Sequence, residues 1–359
     1  MHYFLASGKD GLHHLIFLNN LIENKLIDPK KTLLLILNAS QSKDIRALSK
    51  EIKIKHIDIN FKLSLEPDDT FTTISITRNN CTFLEHIIQS NHDYLNQFYC
   101  LITDDEVDRW NNHFSNNKKN SNVTDKEISC AKKITNFISE KEPWARIIKK
   151  YVNKVANILD ILPPFTILEK NIESQIKKIH KSEVSDEFKL MIFTKKKLHS
   201  EYLEVLSIIS KKLKSFSGKK IVVFLWADPL VFDLRLALHI LFLKIIAKKK
   251  SNSIQINFMQ KIDYVSYFSV INDQDIIFAQ PRGGGSAIRA AIKAGANIFF
   301  KKNSLNADNF LNFSNDQSIS YYHDFDLKKK SINGSNLLDN LLNKENASLI
   351  KLNQIYGDK

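Results

Sequence analysis

The chain has 359 residues, 43% hydrophobic and 25% charged, which is the balance of a folded globular protein with room for two domains. Three widely spaced cysteines, Cys81, Cys100 and Cys130, exclude a disulfide framework and a CxxC pair, and point to a reducing compartment. The net charge of +13 has two readings, since the lysines are spread along the chain: a Lys-, Asn- and Ile-rich composition throughout, or attraction to an anionic nucleotide, membrane surface or nucleic acid.

The opening Met1-His2-Tyr3-Phe4-Leu5-Ala6-Ser7 has neither the basic start nor the long apolar core of a signal peptide. Residues 3–6 read as a strand, residues 7–11 as a turn, and residues 12–24 as a helix, because Leu12, Leu15, Ile16, Leu18, Leu21 and Ile22 recur at helical spacing. Thr32 to Leu37 is a continuous apolar run, as in a strand buried on both faces. A helix over 42–50, strands over 52–59 and 71–76, a helix over 81–90 and a strand over 98–102 follow, and the last runs into Thr103-Asp104-Asp105-Glu106. Residues 104–160 read as mostly helical, with an Asn-rich loop over 111–121. Thr124 and Glu127 are spaced as a capping box, and a helix opens at Pro143-Trp144. Pro163-Pro164 interrupts the pattern, and the charged stretch 166–186 reads as a linker.

The second half alternates regularly. Strands are expected over 188–194, 220–226, 253–259, 275–280 and 297–300, and helices over 199–216, 231–248, 263–271 and after Ser286. The connections are short enough that only right-handed βαβ crossovers fit, which predicts a parallel sheet with helices on both faces. The most apolar long run, Leu234 to Ala247, contains Arg235, His239 and Lys244 and falls short of the ~20 residues of a membrane span. A last helix is expected over 334–344. The domains predicted are 1–165, 187–333 and a C-terminal helix over 334–359 that crosses back.

One stretch organises this pattern: Pro281-Arg282-Gly283-Gly284-Gly285-Ser286-Ala287-Ile288-Arg289. Three of the chain's nine glycines lie side by side between a strand and a helix. Glycine lets the backbone approach a ligand closely, and the free N–H groups of a helix start attract a phosphate. Ser286 can cap the helix or give its hydroxyl to a phosphate oxygen, and Arg282 and Arg289 can offer forked donors to the same anion. The competing reading is a tight αβ turn that binds nothing.

Two successive α/β halves with this Gly-Ser turn late in the second resemble the GT-B glycosyltransferases. The carrying residues are 193–197, Phe224 to Pro229 and above all Pro281 to Gly295, with Ala294-Gly295-Ala296-Asn297-Ile298 matching the tail of that family's donor-binding unit. The resemblance implies an α/β fold of two Rossmann-like domains facing each other across a cleft. It also implies a glycosyltransferase that takes a nucleotide-sugar as substrate, with no cofactor and no metal. In that reading Gly283, Gly284, Gly285, Ser286, Arg282 and Arg289 meet the donor diphosphate, and Thr194 and Lys195 either join them or form a solvated basic loop. Trp226, Asp228, Gln260 and Tyr264 follow strands where the nucleoside is gripped, although Trp226 can equally pack in the core. Many retaining members carry two glutamates at this unit. None lies between Arg282 and Phe300, which favours an inverting enzyme.

An inverting transferase needs a base for the acceptor hydroxyl. The candidates are Asp10 and His14 after the first strand, with His13 beside it, and Asp104 and Asp105, with Glu106, after the strand over 98–102. Asp104 can instead be a helix cap, with Asp105 and Glu106 favouring the positive end of the dipole. The acidic trio also admits a metal-dependent, single-domain GT-A transferase, which leaves the second half without a role. A nucleotide-sugar epimerase and a basic nucleic-acid-binding protein complete the alternatives, and no nucleic-acid partner is expected, since no basic cluster is interleaved with aromatics. The expected partners are a nucleotide-sugar donor, a glycan or lipid-linked acceptor of a bacterial surface polysaccharide, and an anionic membrane touched by the basic helix over 144–154. That places the chain in the cytoplasm, at the inner face of the membrane.

Overall fold

A computed structural model describes residues 1–7, 11–37, 52–102, 104–114, 123–140, 144–162, 187–193, 199–213, 220–225, 234–259, 264–311, 320–325 and 334–357. Contacts divide the chain into two units, 1–167 with 343–359, and 168–342.

The first unit holds strands β1 (His2–Ser7), β2 (Thr32–Leu37), β3 (Lys53–Ile57), β4 (Thr70–Ile74), β5 (Phe98–Leu101), β6 (Asn136–Ser139) and β7 (Asn157–Asp160). Its helices are α1 (Gly11–Glu23), α2 (Cys81–Ser90), α3 (Asp104–Phe114), α4 (Asp125–Lys133) and α5 (Trp144–Ile147), which runs on into a π turn over Ile148–Val152. The seven strands lie in the order β3-β2-β1-β4-β5-β6-β7, every neighbouring pair parallel. Parallel strands are covered on both faces, which is why β2 reads as an unbroken apolar run and is buried along nearly all its length.

The second unit holds β8 (Glu187–Ile192), α6 (His199–Lys212), β9 (Lys220–Leu225), α7 (Leu234–Lys249), β10 (Ser253–Phe258), α8 (Tyr264–Asn272), β11 (Ile276–Phe278), α9 (Gly285–Lys293), β12 (Asn297–Phe300), α10 (Leu305–Leu311) and β13 (Ser320–Tyr321). The order is β10-β9-β8-β11-β12-β13, again all parallel. Leu190, Ile192, Val223, Leu225 and Phe278 from three adjacent strands form one core with Val205 and Ile209 of α6 and Leu236 and Leu243 of α7. Each such fully buried side chain stabilises the unit by roughly 1.5–3 kcal/mol. Both sheets step outward from their first strand, return to its other side, and continue in the opposite direction, which is the Rossmann arrangement.

The final helix, α11 (Gly334–Tyr356), runs twelve residues beyond its expected end at 344. Its last turns return to the first unit. Leu352, Ile355 and Tyr356 join the core of Phe4, Phe17 and Leu34, and the Tyr356 hydroxyl shares a 2.8 Å hydrogen bond with Thr72 Oγ1.

Four expectations need correction. The region over 104–160, mostly helical among its described residues, also contains two strands that were not expected, β6 and β7. Both are four residues long, and β6 is buried on both faces, so neither shows a period of two. Asn111 and Asn112 belong to α3 rather than to a loop. α10 and β13 follow β12 where no element was expected. The helix opening at Trp144 turns Trp144, Ile147, Ile148 and Val152 into the core, so it has no apolar face left for a membrane. The capping box at α4 is present as read, with Thr124 and Glu127 each accepting from the other's backbone N–H. The expected helix over 42–50 and the linker over 166–186 lie outside the described residues.

Candidate functional site

In an open parallel sheet the loops after the first and fourth strands diverge to opposite faces and leave a crevice at their carboxyl ends. In the second unit these strands are β8 and β11, which pair from Leu190 with Ile276 to Ile192 with Phe278. The segment leaving β11 is Ala279 to Gly284, so the glycine turn stands at this switch point.

The turn needs its glycines. Gly283 and Gly284 have φ of 75° and 69°, in the left-handed region. A Cβ at Gly284 would lie 2.8 Å from Gln280 Nε2, and one at Gly285 would lie 3.2 Å from Arg289 Nη2. Gly284 is the N-cap of α9, not Ser286. A glycine supplies no capping oxygen, so among the described residues the first-turn amides at Gly285, Ser286 and Ala287 have neither an intrahelical acceptor nor a side-chain cap. Ser286 is half-buried at the second helical position.

The oxygens of the turn are held by protein donors. Asn306, buried on α10, donates from Nδ2 to Gln280 O at 2.7 Å and to Gly283 O at 2.8 Å, and from its backbone N–H to Pro281 O at 3.0 Å. The Tyr322 hydroxyl donates to Ala279 O. Burial, reinforced by the charges of Glu201 and Glu204, holds the Tyr322 phenol well above its ordinary range, so it remains a donor. With four carbonyls tied down, the groups that would repel an anion are taken up internally. The cations lie differently from one another: Arg282 is half-exposed, whereas Arg289 is only 4% exposed with its guanidinium packed under Gly285. The geometry therefore brings Arg282, Gly283, Gly284, Gly285, Ser286 and Arg289 together at one helix start.

Asn306 was not singled out by sequence reasoning. The signal was present: Ser304 opens α10, its Oγ accepting from Ala307 N–H at 3.2 Å, as a helix-starting serine does. Of the other sequence candidates, Thr194, Lys195, Trp226, Asp228, Gln260 and Asp10 lie outside the described residues. Tyr264 begins α8, His14 lies in α1, and Asp104 and Asp105 begin α3; their backbones are placed and their side chains are outside the description.

The equivalent switch point of the first unit lies between β1 and β4. Ser75, just after β4, has φ of 70° without being glycine. Its N–H donates to Leu101 O at 3.0 Å, and its carbonyl accepts from Asn80 Nδ2 at 2.9 Å and Thr73 Oγ1 at 3.1 Å. Glu106, 1% exposed, accepts from Ile76 N–H. The third carboxylate of the acidic trio is thus a brace for the loop after β4. Glu140, buried at the end of β6, is a strand-end carboxylate that went unnoticed because β6 did. The three cysteines are free and buried; burial, then the charges of Cys81 and Glu85, pushes the Cys130 thiol up to about 12.

No family model matches the chain, and no curated protein matches it. Solved structures do. A UDP-GlcNAc 2-epimerase from Neisseria meningitidis bound to UDP-GlcNAc aligns with a TM-score of 0.54 at 10% identity, over 100% of this chain and 95% of that one. A trehalose-6-phosphate structure from E. coli bound with UDP-2-fluoro glucose aligns with a TM-score of 0.55 at 10% identity, over 100% of both chains. An α,α-trehalose-phosphate synthase (UDP-forming) from Burkholderia vietnamiensis aligns with a TM-score of 0.57 at 8% identity, over 99% of this chain and 100% of that one. Such identities speak for the fold alone. Whole-chain similarity of this kind, together with two parallel sheets of Rossmann order, gives the chain the GT-B fold.

Proposed function

We propose that this chain is a glycosyltransferase that moves a sugar from a nucleotide-activated donor to a glycan or lipid-linked acceptor. One observation carries the reading: a helix start capped by a left-handed glycine, its carbonyls tied back by Asn306 and Tyr322, at the switch point of a Rossmann sheet. Such an arrangement suits the diphosphate of a nucleotide-sugar. The amides of Gly285 and Ser286, the Ser286 hydroxyl and the Arg282 guanidinium would stabilise the charge that develops on the leaving diphosphate, with Arg289 adding positive potential from beneath. Thr194 and Lys195, which follow β8 in sequence, are assigned to the same phosphates. Trp226, Asp228, Gln260 and Tyr264 are assigned to the nucleoside.

The lack of paired glutamates between Arg282 and Phe300 favours inversion. In that reaction the acceptor oxygen forms a bond to the anomeric carbon as the bond to the diphosphate breaks on the opposite face, and a base takes the acceptor proton. Asp104, Asp105, Asp10 and His14 are the candidates, to which Glu140 is added as a buried strand-end carboxylate. The acceptor proposed is a growing bacterial surface polysaccharide at the inner face of the membrane. Titration calorimetry against UDP-, GDP-, TDP-, CMP- and CDP-sugars tests the reading, which requires saturable binding of at least one and fails if none binds.

A second reading, a nucleotide-sugar epimerase, is favoured by the alignment with the N. meningitidis structure over the whole chain. An assay without acceptor separates them: an epimerase interconverts the donor, whereas a transferase leaves it intact or slowly hydrolyses it.

A further inference from the structure

Helix α7 (Leu234–Lys249) has two apolar faces, and among the described residues only one packs into the core. Leu236, Ile240, Leu243 and Ala247 are buried against the second sheet. On the opposite side Leu234 is 72% exposed, Leu238 57%, Leu241 56%, Phe242 57% and Ile245 47%. At 3.6 residues per turn these five fall within an arc of about 100°. Singly exposed apolar side chains are ordinary, but five on one stripe of one helix form a contiguous apolar surface of the kind that marks an interaction site.

The charges around the stripe select its occupant. Helix α7 contains no acidic residue. Arg235 borders the arc on one side and Lys244 on the other, while Lys248 and Lys249 continue it beyond Ile245, all four exposed. Lys211, in the last turn of the neighbouring α6, is exposed too. A second copy docking by two-fold symmetry would lay this cationic patch upon itself with no carboxylate from α7 to meet it. An apolar stripe rimmed by Lys and Arg is instead the pattern of a helix lying in the plane of an anionic bilayer, its apolar residues among the acyl chains and its cations at the phosphates. The helix does not cross the bilayer: its other face is in the protein core, and no described helix is long and apolar enough for a span.

We propose that the exposed face of α7 docks the second unit onto an anionic membrane surface, through Leu234, Leu238, Leu241, Phe242 and Ile245 with Lys244, Lys248 and Lys249. This surface replaces the helix over 144–154 as the membrane contact, and it stands whether the chain is a transferase or an epimerase.

Flotation of the full chain with vesicles tests it without any activity measurement. The chain should float with mixed phosphatidylcholine and phosphatidylglycerol and stay behind with phosphatidylcholine alone. Replacing Lys244, Lys248 and Lys249 by Ala should weaken vesicle affinity roughly hundredfold. Leu241→Glu with Phe242→Glu should abolish flotation while leaving the melting temperature close to that of the parent, since both side chains are outside the core. A polarity-sensitive dye on Leu238→Cys should shift to the blue on adding the anionic vesicles, and labelling is selective because the native cysteines are buried. Absence of flotation by the parent chain overturns the proposal, as does equal flotation of the Leu241→Glu, Phe242→Glu variant. A dimer in sedimentation that this variant dissolves, with no flotation, would give the face to a second copy instead.

Discussion

Asn306 Nδ2 lies 2.8 Å from the carbonyl oxygen of Gly283 and 2.7 Å from that of Gln280, so one side-chain amide fastens both ends of the glycine turn. The two donors of that nitrogen are spent on backbone oxygens, a role that only an amide of this length fills here. Asn306→Asp should therefore be worse than Asn306→Ala. The alanine leaves two carbonyls short of donors, at about 1–3 kcal/mol, and the aspartate sets a carboxylate oxygen against them. Urea unfolding ranks the variants. Nucleotide affinity should fall with the loss of turn geometry, about tenfold or more for either variant.

Gly284 combines φ of 69° with a Cβ position 2.8 Å from Gln280 Nε2. Gly284→Ala should cost about 1–2 kcal/mol from the left-handed backbone alone. Adding Gln280→Ala removes the contact but not the backbone penalty, so the double variant should recover only part of the loss. Thermal melts of the single and double variants check this.

Glu106 is buried and accepts from Ile76 N–H, next to the left-handed Ser75. Glu106→Gln keeps an acceptor oxygen and should hold the loop after β4. Glu106→Ala strands a buried amide and should lose about 1–3 kcal/mol. A Glu106→Gln variant as unstable as Glu106→Ala would show that the charge, rather than the hydrogen bond, is what the site needs.

Burial raises the Cys130 thiol to about 12 from an ordinary value of 9.0. The native state keeps its proton where the unfolded chain gives it up. Stability from this group is thus complete below pH 9, and declines as pH rises from there toward 12. The urea midpoint should be lower at pH 10 than at pH 8. At pH 8 the native thiols should resist iodoacetamide and react only on unfolding, because all three cysteines are buried.

Most of the fold was legible because buried parallel strands are written as apolar runs. The strands at Thr32–Leu37, Lys220–Leu225 and Asn297–Phe300 stand within a residue of where the sequence places them. β6 and β7 were not legible, since four residues carry too little periodicity to separate a strand from a helix. At the candidate site the glycines announced themselves by rarity and adjacency. Asn306 did not, because it belongs to a different element, twenty-three residues after Gly283, and only the return of α10 to the turn joins them. The cap was not legible for a related reason: Ser286 is the better N-cap in isolation, but the left-handed backbone at the cap position favours glycine. The two faces of α7 could not be told apart in sequence either, since both are apolar; only burial by the sheet distinguishes Leu236 from Leu238.

The helix start at Gly284–Ser286 is proposed to hold a diphosphate. Calorimetric titration of the parent chain and of Gly284→Ala with UDP, GDP, TDP and CDP measures this directly. The parent should bind at least one of them saturably, and a Gly284→Ala variant that still unfolds cooperatively should not. Failure of every nucleoside diphosphate to bind, or equal binding by the folded variant, would contradict the proposal.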